Sequence, residues 1–273
     1  MKFISLKKKF ILGSVQFGQN YGITNKSRKK ISFKEKIKIF RYCKKIGLYH
    51  FDSAEEYNFH FKPRDKNSWK IDTKITIGKK IDLEKIFLHK YKKFTLDTVY
   101  IRNPEKYTSK AALKLFEELR IFKKKKIIKK IGISVYDIKN LKDFIKKFDI
   151  DVVQLPYNII DRRFEKIFSY LKSKKILIYA RSLFLQGLLL SNNEIINHNS
   201  LKKFNKFAEG KDKLSLCLNF VKKNRYIDKY IIGIQNSSNL AQILNTKIIK
   251  NINFPKKLSS SDKKLIDPRL WVY

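Results

Sequence analysis

Eight short apolar runs recur along the chain: Ile11–Val15, Leu48–Asp52, Trp69–Lys74, Thr98–Ile101, Lys130–Val135, Asp151–Pro156, Ile176–Arg181 and Lys229–Gly233. Most of the intervals between them carry helical spacing. Strands alternating with amphipathic helices predict βαβ units and a parallel sheet buried on both faces. Eight such units in one rhythm predict an α/β fold of the (β/α)8 TIM-barrel type. A chain of 273 residues is long enough for one such domain undivided. No linker, low-complexity tract or composition break interrupts it, so residues 1–273 are expected to form a single barrel domain.

The intervals differ in quality. Ser32-Phe33-Lys34-Glu35 reads as a capping box opening a helix that stops near Gly47. Further helices are expected over Leu83–Tyr91, Ser109–Lys125, Ile138–Lys147, Arg163–Lys172, Lys213–Lys223 and Ser238–Leu244. Between Tyr57 and Trp69 the connector holds Pro63 and little helical period. Its length barely reaches the roughly 10–12 residues of a parallel crossover, so the second helix is expected to be short or missing. The polar, Asn-rich stretch Ser191–Gly210 reads as a long loop over the site, or as partly disordered.

Composition narrows the functional classes. Hydrophobic residues at 43% and aromatics at 14% exclude a disordered chain. No uncharged apolar run approaches the ~18 residues of a membrane span, and Met1 to Lys9 does not read as a signal peptide. Cys43 and Cys217 lie far apart, as expected of two free thiols in a reducing cytoplasm. No Cys/His spacing points to a metal. The net charge of +39 raises polyanion binding as one reading. The lysines are spread through every segment, however, with local peaks at Lys7–Lys9, Lys123–Lys126 and Lys256–Lys257. No nucleic-acid module accompanies them. A compositional bias towards Lys, Ile, Asn and Phe accounts for the charge better than a specific nucleic-acid partner does.

In a barrel of this kind, chemistry sits at the carboxyl ends of the strands. Asp52, Lys74, Arg102, Ser134, Gln154 and Arg181 all fall at or just after such ends, and Tyr57 lies on the loop after the second strand. Phe51-Asp52-Ser53-Ala54-Glu55-Glu56-Tyr57 and Asp72-Thr73-Lys74 bring a carboxylate, a phenol and an ammonium together. A phenol releases its proton only near ~10 in water. A neighbouring ammonium lowers that value, and a carboxylate holds the ammonium in place. The trio is suited to protonating a carbonyl oxygen while a hydride attacks the carbon.

The segments Leu12-Gly13-Ser14-Val15-Gln16-Phe17-Gly18, Tyr21-Gly22, Asp52 to Tyr57, Thr73-Lys74, Ile131-Gly132-Ile133-Ser134 and Val152 to Asn158 follow in order. Arg181 to Leu189 and Asp267-Pro268-Arg269-Leu270-Trp271 complete the set. Together they resemble the aldo-keto reductase superfamily, in a bacterial NAD(P)-dependent branch. The resemblance implies that Asp52, Tyr57 and Lys74 match three members of a catalytic tetrad. The fourth, usually a histidine after strand four, is Arg102, within Tyr100-Ile101-Arg102-Asn103-Pro104. A guanidinium donates hydrogen bonds but does not give up its proton. It should lower the Tyr57 pKa further and repel Lys74.

The same resemblance implies cofactor contacts at Gly13, Ser14, Ser134, Gln154, Arg181, Ser182, Gly233, Asn236 and Asn239. Ser134 and Gln154 would meet the nicotinamide carboxamide, and Ser182 to Gly187 would wrap the diphosphate. Gly233 to Asn239 would hold the adenosine end. Basic residues for a ribose 2′-phosphate are not evident there, so the cofactor is NADP or NAD. The implied activity is cytoplasmic reduction of a small-molecule aldehyde or ketone, with a sugar-derived carbonyl as one candidate. The alternative, raised by Arg102 and the short second connector, is an impaired barrel that binds nucleotide or ligand without ordinary carbonyl reduction.

Overall fold

The computed structural model describes residues 8–25, 29–59, 69–76, 82–104, 109–139, 141–192, 195–249 and 251–271. Eight parallel strands close into a barrel in chain order. They are β1 (Phe10–Gly13), β2 (His50–Asp52), β3 (Lys70–Ile75), β4 (Thr95–Arg102), β5 (Ile128–Ser134), β6 (Val152–Pro156), β7 (Leu177–Arg181) and β8 (Lys229–Ile232). Phe10 opposite Tyr230 and Leu12 opposite Ile232 close the ring between β1 and β8. The fold is the (β/α)8 barrel that the strand–helix rhythm predicts.

The helices are α1 (Phe33–Ile46), α2 (Ser109–Lys124), α3 (Leu141–Lys147), α4 (Glu165–Ser173), α5 (Asn199–Ala208), α6 (Lys213–Lys223) and α7 (Ser237–Asn245). Ser32 caps α1 by accepting the Glu35 N–H at 3.3 Å. Gly47, at φ 73°, ends it and turns its N–H back onto the Cys43 and Lys44 carbonyls, a left-handed position that glycine takes without a Cβ penalty.

Several local expectations need correction. β1 stops at Gly13 and Val15 opens a helical turn, Val15–Gly18, instead of extending the strand. The helix expected before β4 forms over residues 83–90, but its last six residues, Lys85–Lys90, wind as a π-helix. β4 itself begins at Thr95, because Leu96 packs outward while Asp97 makes the run look polar. The Asn-rich stretch contains α5. Its Leu201, Phe204 and Ala208 fall on one buried face, and His198 caps it by accepting the Ser200 N–H at 3.0 Å. Polar neighbours masked that spacing in the sequence. The short or missing second helix concerns residues 60–68, which lie outside the described residues.

Strand alternation sorts the side chains. Leu12, Phe51, Ile71, Val99, Ile131, Val153, Ile178 and Ile232 face the helices and join one large apolar layer. Inside the barrel, Ile11, Tyr100, Val152, Tyr179 and Ile231 form a separate plug. Two residues further along a strand the same inward row continues: Tyr100 leads to Arg102, Val152 to Gln154 and Tyr179 to Arg181. The plug is therefore the floor beneath a ring of polar strand-end residues.

Below the plug lies a second polar group. His50 Nε2 is 2.9 Å from Asp72 Oδ1. The Thr98 N–H and the Tyr100 hydroxyl donate to the same carboxylate at 3.1 and 3.3 Å. His50, Asp72 and Asp97 offer ligand-type atoms within 4.8 Å of one another, a cluster that sequence spacing does not show because three strands supply it. Lys130 pairs with Asp97, so a cation already stands against this group. Among the described residues no helix is long and apolar enough to cross a membrane, and Cys43 and Cys217 are buried free thiols.

Candidate active site

A cavity of about 540 Å³ opens at the carboxyl ends of the strands. Asp52, Lys74, Arg102, Ser134, Gln154, Arg181, Gly13 and Gly233 line it, together with Tyr57 and Asn239. Four cationic side chains (Lys74, Arg102, Arg181 and Arg269) and one carboxylate, Asp52, line it, while Arg102 and Arg269 are paired with Glu56 and Asp267 beyond the lining. The cavity therefore favours anions.

Asp52 and Lys74 sit at neighbouring strand ends, with Asp52 paired to Asp72 in register. The Lys74 ammonium donates to both Asp52 oxygens at 2.7 and 2.6 Å and to the Ser53 carbonyl at 3.0 Å. Gln154 Nε2 donates to Asp52 Oδ1 at 2.7 Å, and Ser134 Oγ donates to Gln154 Oε1 at 3.1 Å. One hydrogen-bonded chain thus runs from β5 through β6 and β2 to β3.

Tyr57 closes a short 3-10 turn, Glu55–Tyr57. The turn is backed by Gly18, where a Cβ would stand 1.8 Å from the Tyr57 carbonyl oxygen. Only glycine permits that approach, which gives a physical reason for Gly18 at the end of its run. The Lys90 ammonium and the Gln19 amide tether the turn through the carbonyls of Glu55 and Glu56. Lys74 Nζ lies 5.5 Å from the Tyr57 ring centroid. Among the described residues the Tyr57 hydroxyl makes no hydrogen bond, although its ring borders the cavity.

The electrostatics correct one expectation. The Tyr57 phenol is raised above its ordinary value, mainly by burial and then by Asp52, with Arg102 and Arg181 opposing. The lowering expected from Lys74 does not set the balance, which burial and Asp52 carry upward. Burial lowers the Lys74 pKa; Asp52 opposes that shift, and repulsion from Arg102 and Arg181 reinforces it. Arg102 therefore acts on both partners in the expected directions, but burial outweighs it at the phenol. Its Nη1 is 3.0 Å from Glu56 Oε1, and its guanidinium carbon is 5.8 Å from the Tyr57 ring centroid.

Arg181 donates to the Val135 carbonyl at 3.0 Å and to Ser182 Oγ at 3.3 Å. The guanidinium carbons of Arg181 and Arg269 lie 3.8 and 3.6 Å from the Tyr136 centroid. Two cations this close to one ring must take opposite faces, so Tyr136 is clamped between them. Sequence reasoning passes over Tyr136, Gln16 and Arg269 as site residues. The signals were present: Tyr136 follows Ser134 by two positions, and the other two lie in quoted runs.

Of the remaining sequence-derived positions, Ser182 adopts a left-handed backbone, φ 58°, and lines the cavity. The N–H groups of Leu185 and Gly187 close turns onto Ser182 and Phe184, so these two do not face outward as free donors. Ser14 is fully buried; its N–H donates to the Asp52 carbonyl at 2.9 Å. Asn236 caps α7 by accepting the Asn239 N–H at 2.8 Å. Neither Ser14 nor Asn236 lines the cavity, whereas Asn239, Gln235 and Gly233 do. Among the described residues, Gln16 Oε1 and Asn103 Oδ1 are buried acceptors without a partner, on residues that line the cavity. Orphaned acceptors in a cation-rich cleft of this size fit a large polar ligand with phosphates and amide donors.

The aldo/keto reductase family model matches residues 9–267. The chain belongs to the aldo/keto reductase family. Membership supports NAD(P)-dependent oxidoreductase activity in general, on small carbonyl substrates. Among solved structures, the glycerol dehydrogenase AKR11B4 from Gluconobacter oxydans is similar at TM-score 0.66 and 16% identity, covering 89% of this chain and 88% of that one. The holo form of the aldo-keto reductase AKR11C1 from Bacillus halodurans is similar at 0.66 and 15%, with the same coverage. A Pseudomonas aeruginosa protein described as an aldo-keto reductase is similar at 0.63 and 16%, covering 87% and 88%. At these identities the likeness speaks for the fold. No curated protein matches the sequence.

Proposed function

We propose that this chain is a cytoplasmic, single-domain NAD(P)H-dependent reductase of an aldehyde or ketone, with Tyr57 as the general acid. The observation that carries the reading is the convergence of Tyr57, Lys74 and Asp52 on one cavity at the barrel mouth. The nicotinamide cofactor supplies the hydride when bound. The chain's own residues do the rest. Tyr57 keeps its proton at neutral pH because burial and Asp52 raise its pKa, so it is present as the acid. A carbonyl oxygen that gathers negative charge beside Lys74 and Arg102 is stabilised by both cations, and it takes the proton from the Tyr57 hydroxyl. Asp52 holds Lys74 in place and ionised. Arg102 orients the oxygen, at the position where the family resemblance implies a histidine.

Gly13, Gly233 and Gln16 would border the cofactor, and Ser134 and Gln154 would meet its carboxamide by exchanging part of their present hydrogen bonding. Arg181 and Ser182 would face the diphosphate, with Asn239 at the far end. Ser14 and Asn236 would act indirectly, by shaping the backbone and the α7 cap. A sugar-derived carbonyl suits the polar cavity.

The competing reading is a barrel that binds nucleotide without ordinary reduction, favoured by the Arg102–Glu56 ion pair, which holds the guanidinium from outside the cavity. The test is oxidation of NADH and NADPH against a carbonyl panel by wild type, Tyr57→Phe and Arg102→His. Turnover that falls by about 10²–10⁴ in Tyr57→Phe supports the acid role. Cofactor binding with no turnover in any of the three proteins supports the competing reading.

A further inference from the structure

The expected capping box at the start of α1 forms only by half. Ser32 receives the Glu35 N–H, but the Glu35 carboxylate does not return to Ser32. It crosses to α7, where Glu35 Oε1 accepts the Ser237 N–H at 2.6 Å and the Ser237 hydroxyl at 2.7 Å. These donors stand at the first residue of α7, between Gln235 and Asn239, both of which border the cavity. Gln235 and Asn239 mark this end of the lining, and Glu35 and Ser237 stand outside the lining itself. If the cavity takes a dinucleotide with its nicotinamide beside Tyr57, the adenosine ribose comes to this end.

We propose that Glu35 sets the nucleotide preference, selecting NADH over NADPH. The proposal rests on the reading of the cavity as a dinucleotide site. A ribose 2′-phosphate gains most from free N–H donors at a helix start and from unpaired cations. Here a carboxylate holds both donors of Ser237, and its like charge repels a phosphate that approaches them. A ribose hydroxyl meets the opposite situation, since Glu35 keeps lone pairs able to accept from it. Lys38 lies 3.7 Å from Glu35 Oε2 and offsets part of the charge. It is 58% exposed, so solvent and salt screen that pair. Gln235, Asn236 and Asn239 add no cation at this end.

The experiment is titration calorimetry of NADH and NADPH into wild type, Glu35→Gln and Lys38→Ala, at low and at physiological salt. The salt series is needed because the net charge of +39 draws in the more charged nucleotide non-specifically. Wild type is expected to bind NADH about tenfold or more tighter than NADPH at physiological salt. Glutamine still accepts from Ser237 but carries no charge, so Glu35→Gln should bring the two affinities close together, mainly by tightening NADPH. Lys38→Ala, which removes only an exposed cation, should widen the gap and keeps the test open should Glu35→Gln fail to fold. Equal or tighter NADPH binding by wild type overturns the proposal and leaves the dinucleotide site standing, as does an unchanged ratio in a folded Glu35→Gln. Binding of neither nucleotide overturns the dinucleotide reading, and this proposal with it.

Discussion

The two ends of the barrel interior carry the same kinds of residue in different surroundings. Beneath the apolar plug, Asp72 is fully buried and accepts from His50, from the Thr98 N–H and from the Tyr100 hydroxyl, while Lys130 answers Asp97. Above it, Asp52 and Lys74 form an equally close pair, but they border a cavity with three further cations, Arg102, Arg181 and Arg269. The Tyr57 hydroxyl there has no partner among the described residues. A saturated, sealed network contributes to the fold. An open one, with cations at its border and unmet hydrogen bonds, retains capacity for a ligand. Both places hold a buried aspartate with cationic and phenolic neighbours; access from the cavity separates them.

That contrast predicts opposite balances of stability and activity. Asp72→Ala strands three donors in a sealed interior and is expected to lose about 3–5 kcal/mol in denaturant unfolding. Lys74→Met leaves Asp52 with Gln154 and with water from the cavity, so its stability loss should be smaller, about 1–3 kcal/mol. Its carbonyl reduction should be nearly abolished. A larger stability loss in Lys74→Met than in Asp72→Ala would break the comparison.

Smaller changes sharpen it. Arg102→Ala is expected to lower kcat/KM about tenfold, or ~1.4 kcal/mol, with unfolding nearly unchanged, because Arg102 is partly exposed and paired at the surface with Glu56. Steady-state kinetics and thermal unfolding of one preparation check both halves. Reduction should also hold steady with rising pH through 10, the ordinary phenol value, because the raised Tyr57 phenol still holds its proton there. Oxidation in the reverse direction, which needs the phenolate, should rise over the same range.

The smallest effect concerns Glu35, whose pKa is lowered mainly by the Ser237 N–H and hydroxyl. A depressed carboxylate adds stability above its unfolded value of 4.5 and loses it as pH falls through the folded value. Acid unfolding profiles of wild type and Glu35→Gln should diverge above pH 4.5 by less than about 1 kcal/mol and converge in stronger acid.

Much of this was legible in the sequence because strand periodicity and turn chemistry are local. The eight apolar runs gave the barrel, Ser32 and Gly47 gave the ends of α1, and the strand-end positions gave Asp52, Lys74, Arg102 and Gln154. Helix α5 was hidden because Leu201, Phe204 and Ala208 are diluted by asparagine and lysine. The half-formed capping box shows a different limit: Glu35 fits the local pattern, yet its side chain finds a stronger pair of donors on α7, 202 positions away.

Period-two and helical spacing, read along the chain, were enough to specify a closed parallel barrel and the rim on which its chemistry stands, because both follow from the backbone's own geometry. Which charges answer one another was decided by the fold alone. Lys74 closes on Asp52 and, among the described residues, shares no hydrogen bond with the Tyr57 hydroxyl, Tyr136 is held between two guanidiniums, and Glu35 reaches Ser237. Each of these depends on burial and on neighbours brought together from distant strands, and neither quantity exists until the barrel has closed.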